Sequence, residues 1–179
     1  MKKGLFYHQT NSKTCALLAS LGMLWVLLFL PSLSSAMTLV NGQPANLESY
    51  LNKNKWTVVK VWANECHACR ASMPHVNDFA KIANQHNAQV LGLSIDGPEM
   101  LKEDQAFVKK YGLIFPNLVA SIVEVEALIH KHAPQAPLAT PTMMMFAPNG
   151  EFTGIIVGSG GVTKQELIRY FEENKAHAA

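Results

Sequence analysis

The stretch TVVKVWANECHACRASMP, Thr57 to Pro74, decides the reading of this chain. Thr57 to Ala63 is a short apolar run rich in β-branched residues, the composition of a buried strand. From Cys66 onward the apolar residues change period: Val76, Phe79, Ala80 and Ala83 recur at helical spacing and predict a helix over Cys66 to Asn87. Cys66-His67-Ala68-Cys69 therefore stands where a strand ends and a helix begins. The first sulfur sits beside the unpaired N–H groups at the positive end of the helix dipole, which favours the reactive thiolate. Positions i and i+3 on a first turn bring the two side chains close enough for a disulfide. In this arrangement Cys66 attacks and Cys69, one turn deeper, resolves.

Working outward, Gln89 to Asp96 is a second strand and Glu99 to Tyr111 a second helix, with Phe107, Val108 and Tyr111 turned inward. The alternation predicts βαβ units and a mainly parallel sheet. Leu113 to Pro116 is then an extended, Pro-stopped piece. Ser121-Ile-Val-Glu124 has capping-box spacing and opens a helix to about His132. Ala133 to Ala139 is a Pro-rich loop, and Thr142 to Ala147 and Phe152 to Val157 flank the turn Pro148-Asn149-Gly150 as an antiparallel hairpin. A second capping box, Thr163 to Glu166, starts a terminal helix that presents Leu167, Ile168 and Phe171 to the core.

The block Val61 to Pro74 resembles the "FWA-x-W-C-x-x-C-R-x-x-x-P" active-site motif of thioredoxin-like proteins, most closely the exported TlpA-like redoxins. Tyr111-Gly-Leu-Ile-Phe-Pro116 is similar to the family's "YG-x-x-FP", and Ala139-Thr140-Pro141-Thr142 leads into a strand as the family's proline does. The resemblance covers nearly all of residues 45 to 175. It implies an α/β thioredoxin-like fold: a central mixed sheet with a parallel βαβ half and a C-terminal β-hairpin plus helix, and helices on both faces. It also implies a cis Pro141 facing the cysteines, with the Thr140 backbone pairing with an extended substrate segment and Trp62 assigned with them to substrate binding. No organic cofactor or metal is implied, because the Cys66–Cys69 disulfide is itself the redox group.

The chain departs from the family at three places. Glu65 replaces the usual aromatic residue before the first cysteine; its charge opposes thiolate formation at Cys66, while a protonated His67 favours it. Lys60 stands where thioredoxins keep a buried acid, six residues before the first cysteine. A lysine in mid-strand either handles a proton with a shifted pKa or snorkels to an edge. Ser72 stands where the cytochrome-maturation branch carries Glu, which argues against that role.

The chain has 179 residues, 49% of them hydrophobic and 16% charged, a globular composition that excludes disorder and disulfide scaffolds. Lys2, Lys3 and Lys13 precede an apolar run from Cys15 to Leu30, followed by Pro31 and the small residues Ser34 and Ala36. This reads as a secretory signal, residues 1–36, cleaved near Met37, or as an uncleaved anchor over residues 15–36. The domain at 37–179 is then exported, periplasmic or held at the inner membrane, with 12 basic and 13 acidic residues and no footprint for nucleic acid. Two cysteines remain, and no second C-x-x-C or H-x(3–5)-H completes a zinc site.

His130 and His132, two apart on a helix, diverge and read as surface, as does His75. Met143, Met144 and Met145 alternate faces in a strand, so all three cannot reach one copper ion. The paired Thr and Cys of a peroxiredoxin loop are not in evidence. The leading expectation is thus an exported thiol–disulfide oxidoreductase acting on protein cysteines, with a membrane-borne redox partner. The TlpA-like resemblance leans toward a reductant, and His67 toward an oxidase or isomerase. A copper-binding chaperone and a non-catalytic binding module are the alternatives of other classes.

Overall fold

The computed structural model describes residues 37–174, apart from 52 and 159–161. The proposed leader, residues 1–36, lies outside the described residues, as do Gly160 and Gly161. Seven strands, β1 (Met37–Leu39), β2 (Pro44–Ala45), β3 (Trp56–Trp62), β4 (Ala88–Ser94), β5 (Asn117–Val119), β6 (Thr142–Phe146) and β7 (Phe152–Val157), form one sheet in the order β2-β1-β5-β4-β3-β6-β7. The helices are α1 (His67–Ile82), α2 (Leu101–Tyr111), α3 (Ile122–His132) and α4 (Lys164–Glu173). Strands β3, β4 and β5 run parallel, and β6 and β7 close the other side as an antiparallel hairpin. This is the expected thioredoxin-like α/β architecture.

The central strands owe their position to their composition. Every residue of β3 is buried, as a strand covered on both faces requires. Alternation sorts its side chains: Val58 and Trp62 join α1 (Cys69, Met73, Val76, Phe79) and α4 (Leu167, Phe171) in one apolar layer. Val59 and Val61 join α3 (Val125, Leu128, Ile129) in the other. The three methionines of β6 obey the same rule. Met143 and Met145 lie in the first layer and Met144 in the second, so all three are core.

Both capping boxes form, Ser121 with Glu124 at α3 and Thr163 with Glu166 at α4. Four elements differ from the sequence reading. The first helix ends at Ile82 and passes into a 3-10 turn over Ala83–His86, where Asn87 takes a left-handed conformation with φ 48°. The extended piece at Leu113–Pro116 is the approach to a strand, β5, that the pattern did not reveal. Strands β1 and β2, three and two residues long, leave no pattern in the sequence either. Too short to show a period of two, they are held by pairing instead, β1 on β5 and β2 on β1. Among the described residues no helix is long and apolar enough to cross a membrane.

Candidate active site

Strand β3 delivers the chain to a three-residue loop, Ala63 to Glu65, and Cys66 then caps α1. Cys66 is extended (φ −74°, ψ 102°), and its Sγ accepts the N–H of Cys69 at 3.0 Å. A sulfur thus occupies the place where an oxygen usually caps a helix, against the positive end of the dipole. Cys66 and Cys69 are joined as a disulfide with Cα atoms 5.1 Å apart. Cys66 is half-buried and Cys69 fully buried. Of the two sulfur-bearing residues, Cys66 is therefore the one with surface open to solvent.

The loop before Cys66 is held from several sides. Ile95 N–H donates to the Trp62 carbonyl at 3.0 Å, and Cys66 N–H to that of Ala63 at 3.2 Å. Asn64 gives its N–H and its side-chain amide to Asp96 Oδ2, and the same amide also donates to Asp104 Oδ1. Arg70, one turn into α1, donates from Nη1 to the Asn64 carbonyl at 2.6 Å. Asp104 is completely buried and its Oδ2 has no hydrogen-bond partner. Burial, and to a lesser degree the charge of Asp96, push its pKa up to about 6, although interactions with Ser94 and then Asn64 pull the other way.

Asn64, Asp96 and Asp104 escaped the sequence reading. Asp104 did leave a signal: it stands three residues before Phe107 and four before Val108, so it shares the inward stripe of α2. An acid on an apolar stripe marks either a paired group or a site.

Lys60 does not snorkel to an edge. It is 1% exposed on the central strand, and its Nζ donates to Ser72 Oγ at 2.9 Å. Burial lowers its pKa to about 8. Glu65 and His67 flank Cys66 and are both exposed. Trp62 corrects the expectation that it contacts substrate. It is 0% exposed, stacked on Phe107 with centroids 4.4 Å apart, and its Nε1 donates to Asn117 Oδ1 at 3.2 Å. Strand alternation turns it into the layer beneath α1, so it supports the loop from below.

The Thr140–Pro141 peptide bond is cis. Pro141 is buried and its carbonyl accepts the Gly158 N–H at 2.9 Å, while Thr140 is only half-buried. Thr142, next in the chain, pairs with Val61 on β3, which places this turn at the sheet end that carries the cysteines.

Of the histidines, His75 and His130 are exposed. His132 departs from the surface reading: it packs against Phe146 and Phe152 with centroids 5.2 and 5.3 Å away, and burial lowers its pKa. Among the described residues, no group of three or more His, Cys, Asp and Glu is arranged to hold a metal ion.

Comparison with known proteins agrees with this geometry. The sequence profile of the AhpC/TSA family matches residues 30–154. A thiol-disulfide oxidoreductase ResA from Oceanobacillus iheyensis is 29% identical over 121 residues, 68% of this chain and 58% of that protein, so the chain spans somewhat over half of this relative's length. A thioredoxin-family thiol:disulfide interchange protein from Chlorobium tepidum superposes with a TM-score of 0.62 at 21% identity, covering 76% of this chain and 89% of that one. A secreted disulfide oxidoreductase from Mycobacterium tuberculosis gives 0.60 at 20% identity, covering 77% and 94%.

Proposed function

Because the chain belongs to the AhpC/TSA family, and within the thioredoxin-like superfamily to its TlpA/ResA-like members, we propose that it is an exported thiol–disulfide oxidoreductase that reduces disulfides of protein partners. The observation that carries this reading is the cap of α1. Cys66 Sγ lies half-exposed on the helix N-terminus and accepts the Cys69 N–H, while Cys69 waits buried behind it.

The reaction follows from that placement. In the reduced protein the helix end stabilises Cys66 as thiolate, which attacks one sulfur of a partner disulfide and expels the other as a thiolate, which takes up the proton that Cys69 gives up in the next step. Cys69 then attacks Cys66 Sγ in the mixed disulfide, and the partner leaves reduced as the Cys66–Cys69 bond closes. The half-buried Thr140 offers its backbone to an extended partner segment, and Pro141, having no N–H, brings no donor toward the sulfurs. Glu65 and His67 set the local charge from either side of Cys66. No organic cofactor or metal is required. Electrons to reopen the disulfide come from a membrane-borne redox partner, and residues 1–36 bring the domain to that compartment as a cleaved signal or as an anchor.

A second direction, disulfide donation or isomerisation, draws support from His67, which stands exposed beside Cys66 and favours the thiolate when protonated. The deciding experiment equilibrates the purified protein in glutathione and dithiothreitol buffers, with trapping of free thiols. A potential near about −270 mV supports the reductant, and one between about −120 and −180 mV supports the donor or isomerase. Absence of a two-electron couple removes both and leaves the binding-module or copper-chaperone alternatives.

A further inference from the structure

Lys60 is a buried cation whose neighbourhood provides no matching charge. Strand alternation turns it, with Val58 and Trp62, toward α1, where Cys69 and Met73 lie. Its neighbours across the sheet are Gly92 on β4 and Met143 on β6, neither of which carries charge. Its hydrogen-bond partner is the neutral Ser72, whose Oγ lies 2.9 Å from the Ala68 carbonyl and 3.2 Å from the Cys69 carbonyl. A single hydroxyl therefore stands between the Lys60 nitrogen and the backbone of the resolving cysteine. Among the described residues no carboxylate lies within ion-pair distance of it, and burial alone accounts for its lowered pKa of about 8. The ionisable groups that α1 presents toward this side are the sulfurs of Cys66 and Cys69, and these carry no charge while the disulfide is closed.

Opening the disulfide changes that balance, because it creates a thiolate at the N-terminus of α1, the helix whose Ser72 the unneutralised amine already reaches. We propose that Lys60 is the built-in counter-charge of the Cys66–Cys69 couple, binding a proton as the disulfide opens and holding the dithiol in a thiolate–ammonium form. This rests on the redox reading above and deepens it: Lys60 is a positioning residue that acts on the sulfurs across Ser72. With a dithiol as reductant, its two S–H bonds break, its own S–S bond forms, and the two electrons enter the Cys66–Cys69 bond. One proton goes to the Cys69 sulfur and the other to Lys60 Nζ, while Cys66 remains as thiolate. Below pH of about 8, where Lys60 already holds its proton, that second proton goes to water. In either range the ammonium favours the reduced state, so the couple accepts electrons more readily than the same fold with a neutral residue there.

The test uses the full chain. The Lys60 side-chain amine is titrated by NMR in the oxidised and the dithiothreitol-reduced protein, and the equilibrium with glutathione is measured for the parent and for Lys60→Met across the same pH range. The expected results are a Lys60 midpoint at least a unit higher in the reduced protein, and a Lys60→Met equilibrium shifted about tenfold toward the disulfide, or ~30 mV. That variant also takes up fewer protons per two electrons above pH of about 8. An unchanged midpoint between redox states, or identical equilibria for parent and variant, overturns the proposal. Should Lys60→Met not fold, the titration of the parent decides by itself. A parent with no two-electron couple overturns the redox reading together with this proposal, whereas an ordinary couple indifferent to Lys60 overturns this proposal alone.

Discussion

Asn64 gives both its backbone N–H and its side-chain amide to a single oxygen of Asp96, at 2.7 and 3.0 Å. Because Asn64 lies two residues before Cys66, this pair of hydrogen bonds to Asp96, two residues past the end of β4, fixes the loop from which the attacking sulfur is presented. Replacing Asn64 by Ala keeps the backbone bond and removes the amide, leaving the Asp96 and Asp104 carboxylates without the group that bridges them. The expected outcome is a loss of roughly 1–3 kcal/mol in denaturant unfolding, with slower disulfide exchange by the folded fraction. Unchanged stability together with unchanged exchange removes the clamp from the account.

The Asp104 carboxyl makes stability depend on pH with a definite sign. Its folded pKa of about 6 lies above the ordinary carboxylate value, so the folded state binds protons more tightly than the unfolded chain. Such a group supports the fold at acid pH, and that support fades as pH rises from roughly 4 to 6. Asp104→Asn keeps the acceptor for Asn64 and removes the charge. It is expected to stabilise the protein by roughly 1–3 kcal/mol at pH 7–8 relative to its effect near pH 4. Urea unfolding of parent and variant at both pH values checks this, and a pH-independent difference contradicts it.

The burial difference between the two sulfurs predicts their order of reaction. Cys66 is half-buried and Cys69 has no exposed surface. In the reduced protein, alkylation at limiting reagent is expected to label Cys66 at least about tenfold faster than Cys69, as thiolate character and access both dictate. Cys69→Ser should accumulate mixed disulfides with partner proteins, and Cys66→Ser should form none. Peptide mapping of the alkylated chain gives the answer, and equal labelling of both positions contradicts the assigned roles.

What the sequence made legible, and what it hid, divides along physical lines. The strand-to-helix change at Cys66, the two capping boxes and the hairpin around Asn149-Gly150 are local signals, written within a few residues of one another, and each forms as read. Pro141 was legible through resemblance, because the bond isomer depends on the tertiary surroundings of Thr140. The hidden parts rest on contacts distant in sequence: Asn64 meets Asp96 and Asp104, and β5 is recognisable only beside β1 and β4. Trp62 shows the same limit from the other side. Its place in the motif suggested a role at the surface, and the pairing of β3 between β4 and β6 turns it inward. Lys60 stands out in the sequence as a cation in an apolar strand, but only the position of Ser72 on α1 shows what holds it.

Gly92 is fixed by a contact of this long-range kind. A Cβ added there meets Asn117 Oδ1 at 1.8 Å and Trp62 Nε1 at 3.1 Å, so the strand approaches the Asn117 side chain more closely than any other residue allows. That side chain accepts the Trp62 Nε1–H and donates to the Phe115 carbonyl at 2.8 Å, tying the end of β3 to the start of β5. Gly92→Ala must displace Asn117, leaving the buried indole N–H without its acceptor, and is expected to cost roughly 2–4 kcal/mol from overpacking and the lost bond together. In an Asn117→Ala background the bond is already gone and the crowding atom absent, so the same substitution should cost about 1 kcal/mol or less. The measurement is a double-mutant cycle by urea unfolding, with tryptophan emission recording the surroundings of Trp62. Additive effects across the cycle contradict the coupling, since they mean that Gly92 and Asn117 act on the fold independently.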